Sequence, residues 1–174
     1  IAQFLPLLVL MPVAGWMADR FDRRFVASAA ISIDLLNALA LGWMTAHDSL
    51  TLPALFIVAG LHGIARAFNG PSVSSIAPNL VPPESLPRAI AMSSIAWQTG
   101  GILGPALGGL AYAAHPASSY WIAAALLVIT TASILSIRPY ARTSIKDGSH
   151  PLRQMIDGLG YVRGHRFLLG AITL

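Results

Sequence analysis

Apolar residues in this chain come in long blocks separated by short polar connections, rather than in the alternation of a half-buried strand. The first five blocks cover approximately 1–18, 25–46, 52–80, 89–114 and 120–137. Residues 167–174 form the start of a sixth block. A helix needs about 20 mostly apolar residues to cross a bilayer core. The pattern therefore predicts an all-α, polytopic membrane bundle whose consecutive helices run antiparallel because their connections are short.

The stretch between the fifth and sixth blocks, residues 139–166, has a different pattern. Its apolar residues recur at helical spacing at Leu152, Met155, Ile156, Leu159 and Val162. Such a stripe beside polar residues is typical of a helix that lies on a membrane surface. We therefore expect a cytoplasmic linker that contains an amphipathic helix, with a plain polar linker as the alternative.

Basic residues are sorted by side once the blocks are taken as spans. Loops on one side carry all but one of the 11 Lys and Arg residues, whereas 47–51 and 115–119 carry none. Cytoplasmic loops of membrane proteins are enriched in Lys and Arg. We therefore expect a multi-pass protein of the bacterial inner membrane with its charged loops in the cytoplasm. The net charge of +4 does not indicate nucleic acid, since no basic groove interleaved with aromatic residues is present.

Composition supports lipid as the solvent and limits the chemistry. Of 174 residues, 55% are hydrophobic and 10% are charged, whereas soluble domains average about 25% charged. With no cysteine, disulfides and thiolate metal sites are excluded. No His or carboxylate pair has metal-ligand spacing, and no catalytic Ser-His-Asp order or phosphate loop occurs. We therefore expect no metal, no cofactor and no enzyme activity.

The first basic loop has a distinctive order, Gly15-Trp-Met-Ala-Asp19-Arg20-Phe-Asp22-Arg23-Arg24. It resembles the signature loop between the second and third helices of the major facilitator superfamily. Where the general pattern has Gly, this chain has Asp22. In this respect the loop resembles that of the enterobactin exporters and macrolide-efflux carriers, a branch also called transmembrane secretion effectors. The resemblance implies a gating loop. Physically, Gly15 permits close helix approach, and Asp19 can accept hydrogen bonds from Arg23 or Arg24 or lie at a facing helix N-terminus. A simple cytoplasmic anchor is the alternative.

The fourth block carries a second motif, Gly100-Gly-Ile-Leu-Gly104-Pro105-Ala-Leu-Gly108-Gly109. It resembles a pattern in the fifth helix of the family's exporters, where it is taken as a hinge. Small residues four apart allow close helix contact, and a proline removes one backbone hydrogen bond. Ordinary glycine packing in a membrane helix is the alternative.

The resemblance covers the whole chain, and by it the sequence runs from the second helix to the start of the seventh. Ile1 lies inside an apolar run, so we expect the first helix and the C-terminal half to belong to a longer protein. That half, the bilayer, a small-molecule substrate and protons are the expected partners.

Two charged residues lie inside apolar blocks, Asp34 and Arg66. A charge at the bilayer centre costs about 2.5–3.5 kcal/mol and normally needs a partner or a watery cavity. Counted from the cytoplasmic helix ends, they lie at depths of roughly 13 Å and 15 Å. We expect them to pair or share a cleft, with Asp34 coupling transport to protons. The alternatives are a structural hydrogen bond for Asp34 and a side chain of Arg66 that reaches the interface.

The arginine also resembles the family's fourth-helix pattern, in the form Arg66-Ala-Phe-Asn69-Gly70, which is associated with proton coupling. Other polar residues in the spans are weaker candidates. They could line a substrate path, although a lone histidine in an apolar helix is more often a packing residue; they are Asn37, His62, Trp97 and Gln98.

The function that the resemblance implies is secondary active transport, as proton-coupled efflux of a drug, macrolide or siderophore by alternating access. A lipid-handling carrier of the same fold, a non-transporting scaffold and a membrane-embedded enzyme are the alternatives.

Overall fold

The computed structural model describes residues 2–74 and 81–137, and at positions 18, 19, 74 and 83 it describes the backbone only. The predicted linker, 139–166, and the sixth block, 167–174, lie outside these residues. The described part contains five α-helices: α1 (Phe4–Arg20), α2 (Arg23–Ala46), α3 (Leu52–Ser74), α4 (Leu86–Ala114) and α5 (Ser118–Ser136). The fold class is therefore all-α, as the sequence predicted.

The helices begin and end close to the predicted apolar blocks. Helix α3 is described as far as Ser74, and the last residues of the predicted block, 75–80, lie outside the described residues. Among the described residues, three helices are long and apolar enough to cross a bilayer, namely Arg23–Ala46, Leu52–Val73 and Ser118–Ser136. The apolar part of α1 is shorter, Phe4–Met17. That α1 and α4 also cross the membrane stays a prediction.

Helix α2 forms the centre of the bundle. It packs against α3 on one side and α5 on the other, and α1 packs against α3. Ala27 and Ile31 of α2 form a small buried cluster with Ile134 of α5, with Leu127 packed against it. Within each helix these residues are four or seven positions apart, which places them on one helix face.

The bundle buries small residues and exposes large apolar ones. The buried apolar side chains are mostly alanines, and alanine lets helix backbones approach closely where lipid gives no hydrophobic driving force. Outward-facing residues with more than half of their surface exposed include Leu8, Leu36, Phe56, Trp97 and Leu126. A water-soluble protein would place such side chains inside. The distribution therefore favours a bundle solvated by lipid.

The ends of α2 and α5 that lie near the 47–51 connection meet through a glycine. A Cβ atom at Gly42 would lie 3.2 Å from the ring of Trp121 and 3.3 Å from the Cβ atom of Tyr120. The ring of Trp43 stacks on that of His47, with 4.1 Å between centroids. Aromatic rings therefore gather at this end of the bundle, which is typical of a membrane interface.

Helix α4 is attached to the bundle differently from the others. None of its residues is buried, and its contacts are with the start of α5 and with the 3-10 turn Pro83–Ser85 that precedes it. Near the α4–α5 connection, the Ser119 hydroxyl donates to the Gly108 carbonyl at 3.0 Å and the Ser118 hydroxyl donates to the Ala111 carbonyl at 2.5 Å. The start of α5 is thus bound to the last turns of α4.

Candidate functional site: a titratable pair inside the helix bundle

The candidate site lies on the hairpin formed by α2 and α3. Helix α2 has 24 residues and α3 has 23, so each is about 35 Å long, close to the thickness of a bilayer core. Asp34 occupies the middle of α2, and His62 the middle of α3. Because the helices are joined by the short connection His47–Thr51, their midpoints face each other.

The two side chains are in direct contact. Nδ1 of His62 lies 2.8 Å from Oδ1 of Asp34, which is a hydrogen-bond distance. The contact is an ion pair when the ring is protonated. The Asp34 side chain is 18% exposed and that of His62 is 42% exposed, so the histidine is the more exposed member of the pair. Two polar, titratable side chains are therefore linked across two apolar helices at the middle of each helix.

A second polar contact lies one helical turn away. The Asn37 amide donates to the Val58 carbonyl at 3.5 Å, and the Asn37 side chain is buried. Asn37 follows Asp34 by three residues, and Val58 precedes His62 by four, so each pair shares one helix face. The two contacts fix the register of α2 against α3.

Arg66 is not brought into contact with Asp34 in the described part of the chain. It lies one turn beyond His62 on α3, and its side chain is exposed. The partner that the structure gives to Asp34 is His62, which the sequence suggested only as a weak candidate for a substrate path. That Asp34 and Arg66 share a cleft stays a prediction.

Counting from the short connection does not single out this partner. Asp34 lies 12 residues before the end of α2 at Ala46, whereas His62 lies ten and Arg66 lies 14 residues after the start of α3 at Leu52. In an antiparallel hairpin, residues at similar distances from the connection lie side by side, and the two candidates differ from Asp34 by the same two residues. The sequence therefore indicates the depth of the partner but not which of the two residues it is.

The loop between α1 and α2 is held by Asp22. Its carboxylate caps α2 by accepting from the Arg24 backbone N–H at 3.0 Å, and it also forms an ion pair with the Arg24 guanidinium at 2.7 Å. An acceptor at this position satisfies a backbone donor that the helix leaves without a partner. The residue that departs from the general family pattern is therefore the one that starts α2.

Arg24 joins this loop to the residue that follows α5. While Nε and Nη2 bind Asp22, Nη1 donates to the Ile137 carbonyl just after α5. Arg24 therefore does not depend on Asp19 for a partner, and the side chain of Asp19 lies outside the described atoms. The predicted bond between Asp19 and Arg23 stays a prediction.

Two further residues of the predicted gating loop have specific surroundings. The Arg20 guanidinium lies over the Trp16 ring, 5.1 Å from its centroid, where cation–π attraction holds it. A Cβ atom at Gly15 would meet nothing within 4 Å. The close helix approach expected at Gly15 is therefore not found among the described residues.

The glycines of the α4 motif also have no close neighbours outside their own helix turn. Within the described chain, a Cβ atom built at any of them would meet no such neighbour within 4 Å; these glycines are Gly100, Gly101, Gly104, Gly108 and Gly109. Pro105 lies inside the helix without breaking it. Since proline has no N–H, the Gly101 carbonyl four residues earlier lacks its helical donor. The hinge role of the motif stays a prediction.

The remaining candidates on α4, Trp97 and Gln98, lie away from the polar pair. The Trp97 side chain is 74% exposed, and Gln98 is exposed beside it. The structure does not bring either one to Asp34 or His62 in the described residues. No group of three or more metal-ligating side chains is found in the part of the chain that the structure describes.

Apolar helices of bilayer length, small residues at their contacts and a polar pair at their midpoints define a polytopic membrane protein. Comparison with known proteins specifies the class further. The family model described as Major Facilitator Superfamily matches residues 1–174 of this chain. The chain belongs to the major facilitator superfamily, and is thus grouped with membrane transporters rather than enzymes.

Curated relatives agree with this assignment. Multidrug resistance protein 1 of Bacillus subtilis (strain 168) is 31% identical over 130 residues, which cover 75% of this chain and 32% of that protein. The putative multidrug resistance protein MdtD of Citrobacter koseri is 31% identical over 122 residues, covering 70% of this chain and 24% of that protein. The putative multidrug resistance protein MdtD of Yersinia pestis (strain Pestoides F) is 30% identical over 122 residues, which cover 70% of this chain and 25% of that protein. No solved structure matches. The chain thus spans a third or less of the length of these relatives.

Proposed function

We propose that this chain is part of a proton-driven exporter of small amphipathic compounds in a bacterial inner membrane. The observation that carries the proposal is the contact between Asp34 and His62 at the midpoints of two apolar helices. Titratable side chains inside a membrane are costly and mark ion or proton pathways. Relatives with 31% identity are named multidrug resistance proteins, which supports export as the direction of transport.

The transport cycle requires the rest of the protein. In transporters built from two helical bundles, a site near the midplane is exposed to each side in turn as the bundles rock. This chain supplies most of one bundle, and the other would come from the C-terminal half. The loop residues Gly15, Asp19, Arg20, Arg23 and Arg24 would form the cytoplasmic gate in this scheme, and the α4 glycine motif would provide the hinge.

The branch of the family is part of the same proposal. Asp22 in the gating loop supports the enterobactin-exporter and macrolide-efflux branch, because there it replaces the glycine of the general pattern. The cap that Asp22 places on α2 gives this substitution a physical role. Macrolides, siderophores and amphipathic drugs are therefore the compounds to test first.

The test is efflux by the full-length carrier in cells that lack their own drug exporters. Efflux of a panel of macrolides, catecholate siderophores and dyes is measured with and without an uncoupler. We expect uncoupler-sensitive efflux from the native carrier and its loss in D34N. The matched control is E84Q, which neutralises an exposed carboxylate in the turn before α4. Full proton-driven efflux by D34N, or none by the native carrier for any compound, contradicts the proposal.

A further inference from the structure

The pair at the bundle centre differs from a simple buried carboxylate. A carboxylate at 2.8 Å from an imidazole nitrogen requires a hydrogen on that nitrogen, since two lone pairs would repel. The ring has a second nitrogen, Nε2, which can bind a proton while Nδ1 stays hydrogen-bonded to Asp34. His62 can therefore gain and lose a proton without breaking its contact with Asp34.

We propose that His62 and Asp34 form one proton-binding unit, in which His62 takes up the coupling proton and Asp34 holds it by forming an ion pair. This rests on the proposed function and names the residue that carries the proton. When a proton enters, it binds the free ring nitrogen of a neutral His62, and the imidazolium donates from Nδ1 to the Asp34 carboxylate. When the proton leaves, neutral His62 and a negative Asp34 remain.

Access favours entry through the histidine. The His62 side chain is 42% exposed, against 18% for Asp34, so the imidazole is the more accessible member of the pair. A proton therefore reaches the imidazole more readily than the carboxylate. The carboxylate then acts as the fixed counter-charge, as expected for the more buried member of an ion pair.

Charge balance explains why the unit can lose its proton in the membrane. The loaded pair has no net charge, whereas the unloaded pair has a charge of minus one, which is unfavourable in a bilayer. Arg66 lies one turn from His62 on α3, and residues four apart on a helix are neighbours. Its guanidinium is the nearest cation that could compensate Asp34 after the proton has left. In the loaded state, Asp34 is engaged by His62 and Arg66 is released.

The other helices packed against the pair add no further charge at this depth. α5 packs against α2, and its residues Ser118–Ser136 include no Asp, Glu, Lys, Arg or His. α1 packs against α3 and brings the uncharged Gln3 next to Gly63, while its charged residues, Asp19 and Arg20, are at its far end. The basic residues of α2 are in its first turn. Within the described helices, the charge of the pair therefore depends on Asp34, His62 and Arg66.

The experiment uses the full-length carrier in proteoliposomes with a transported compound identified by the efflux panel. Uptake driven by a pH gradient is compared with substrate counterflow, which needs no net proton movement. We expect H62Q to lose gradient-driven uptake and keep counterflow, and the reversed pair, D34H with H62D, to regain gradient-driven uptake. H115Q, which changes a histidine at the end of α4, serves as the control and keeps both activities.

The outcomes separate this proposal from the proposed function. If H62Q keeps gradient-driven uptake with an unchanged pH profile, His62 does not carry the proton, although proton-driven export still holds. If the native carrier ignores the gradient, the proposed function itself fails, and the proton unit fails with it. Should H62Q not fold, infrared difference spectra of the native carrier on substrate binding decide the question. Histidine ring bands support the proposal, and a carboxyl band without them overturns it.

Discussion

Gly63 lies against the backbone of Gln3, so closely that a Cβ atom added to the glycine would collide with the Gln3 carbonyl oxygen. The obstacle is backbone rather than the end of a flexible side chain, and no change of rotamer would relieve the collision. Here α1 meets α3 one residue after His62. The packing that positions His62 therefore depends on the absence of a side chain at its neighbour.

We predict that G63A destabilises the protein, whereas G60A does not. Overpacking costs about 1–3 kcal/mol, and at Gly63 the α1–α3 contact must open to accommodate the methyl group. Gly60 lies on the same helix with nothing within 4 Å of its Cβ position. Replacing it by alanine should change stability by no more than about 1 kcal/mol, in the favourable direction given by helix propensity. Thermal unfolding of the full-length protein in detergent compares the two variants, and equal unfolding temperatures would contradict the packing described.

The Asp22 carboxylate has two roles that two substitutions can separate. It caps α2 by accepting from the Arg24 N–H, and it binds the Arg24 guanidinium. D22A removes both interactions, and loss of the cap alone costs about 1 kcal/mol. D22N keeps a side-chain oxygen that can cap the helix but removes the charge. We expect D22A to lower the unfolding temperature clearly and D22N to lower it only slightly, since exposed ion pairs contribute little. A larger effect of D22N would show that the charge, and not the cap, holds the loop.

The hydroxyl of Ser119 supplies a prediction about how α4 is attached. It donates to the Gly108 carbonyl on α4, whereas the hydroxyl of Ser133, on the same helix as Ser119, donates to the Ile129 carbonyl within α5 itself. S119A should lose about 0.5–1.5 kcal/mol of contact between the two helices, and S133A should lose none of it. Hydrogen exchange of the backbone amides in the last two turns of α4 measures the difference. Equal exchange in S119A and S133A would show that this hydroxyl does not hold α4.

The orientation of the helices can be tested with single cysteines, because this chain contains none of its own. In the full-length carrier with any other cysteines removed, S49C lies in the connection between α2 and α3, and F21C lies in the basic loop between α1 and α2. α2 separates the two positions by its full length. We expect a maleimide that cannot cross membranes to label S49C in intact cells and F21C only after permeabilisation. Labelling of both from the same side would disprove the predicted topology.

The positions of the helices could be predicted from the sequence because lipid requires long apolar blocks and the blocks are clear. The partner of Asp34 could not be predicted, because the spacing leaves two candidates. Counted from the His47–Thr51 connection, His62 and Arg66 each differ by two residues from the depth of Asp34. Which of them meets the carboxylate depends on how α3 packs against α2, and the local pattern does not carry that information.

The glycine motifs did not predict which glycines lie close to a neighbouring helix. The sequence shows where a close approach is permitted, but it does not show which backbone makes it. The glycines singled out by the motifs, Gly15 and Gly104 among them, have open surroundings in the described chain. Gly42 and Gly63, which belong to neither motif, have close neighbours. Predicting those contacts required knowing which helices are adjacent, and this follows from tertiary packing rather than from local pattern.

The attachment of α4 at one end has a mechanical consequence. With 29 residues, the helix is about 43 Å long, and Ser118 and Ser119 bind it near its carboxyl end. The arm from Gly108 to Leu86 is about 33 Å long, so a tilt of about five degrees at the serines shifts Leu86 by about 3 Å. Pro105 lies on this long arm, three residues from Gly108, where a small bend moves the largest part of the helix.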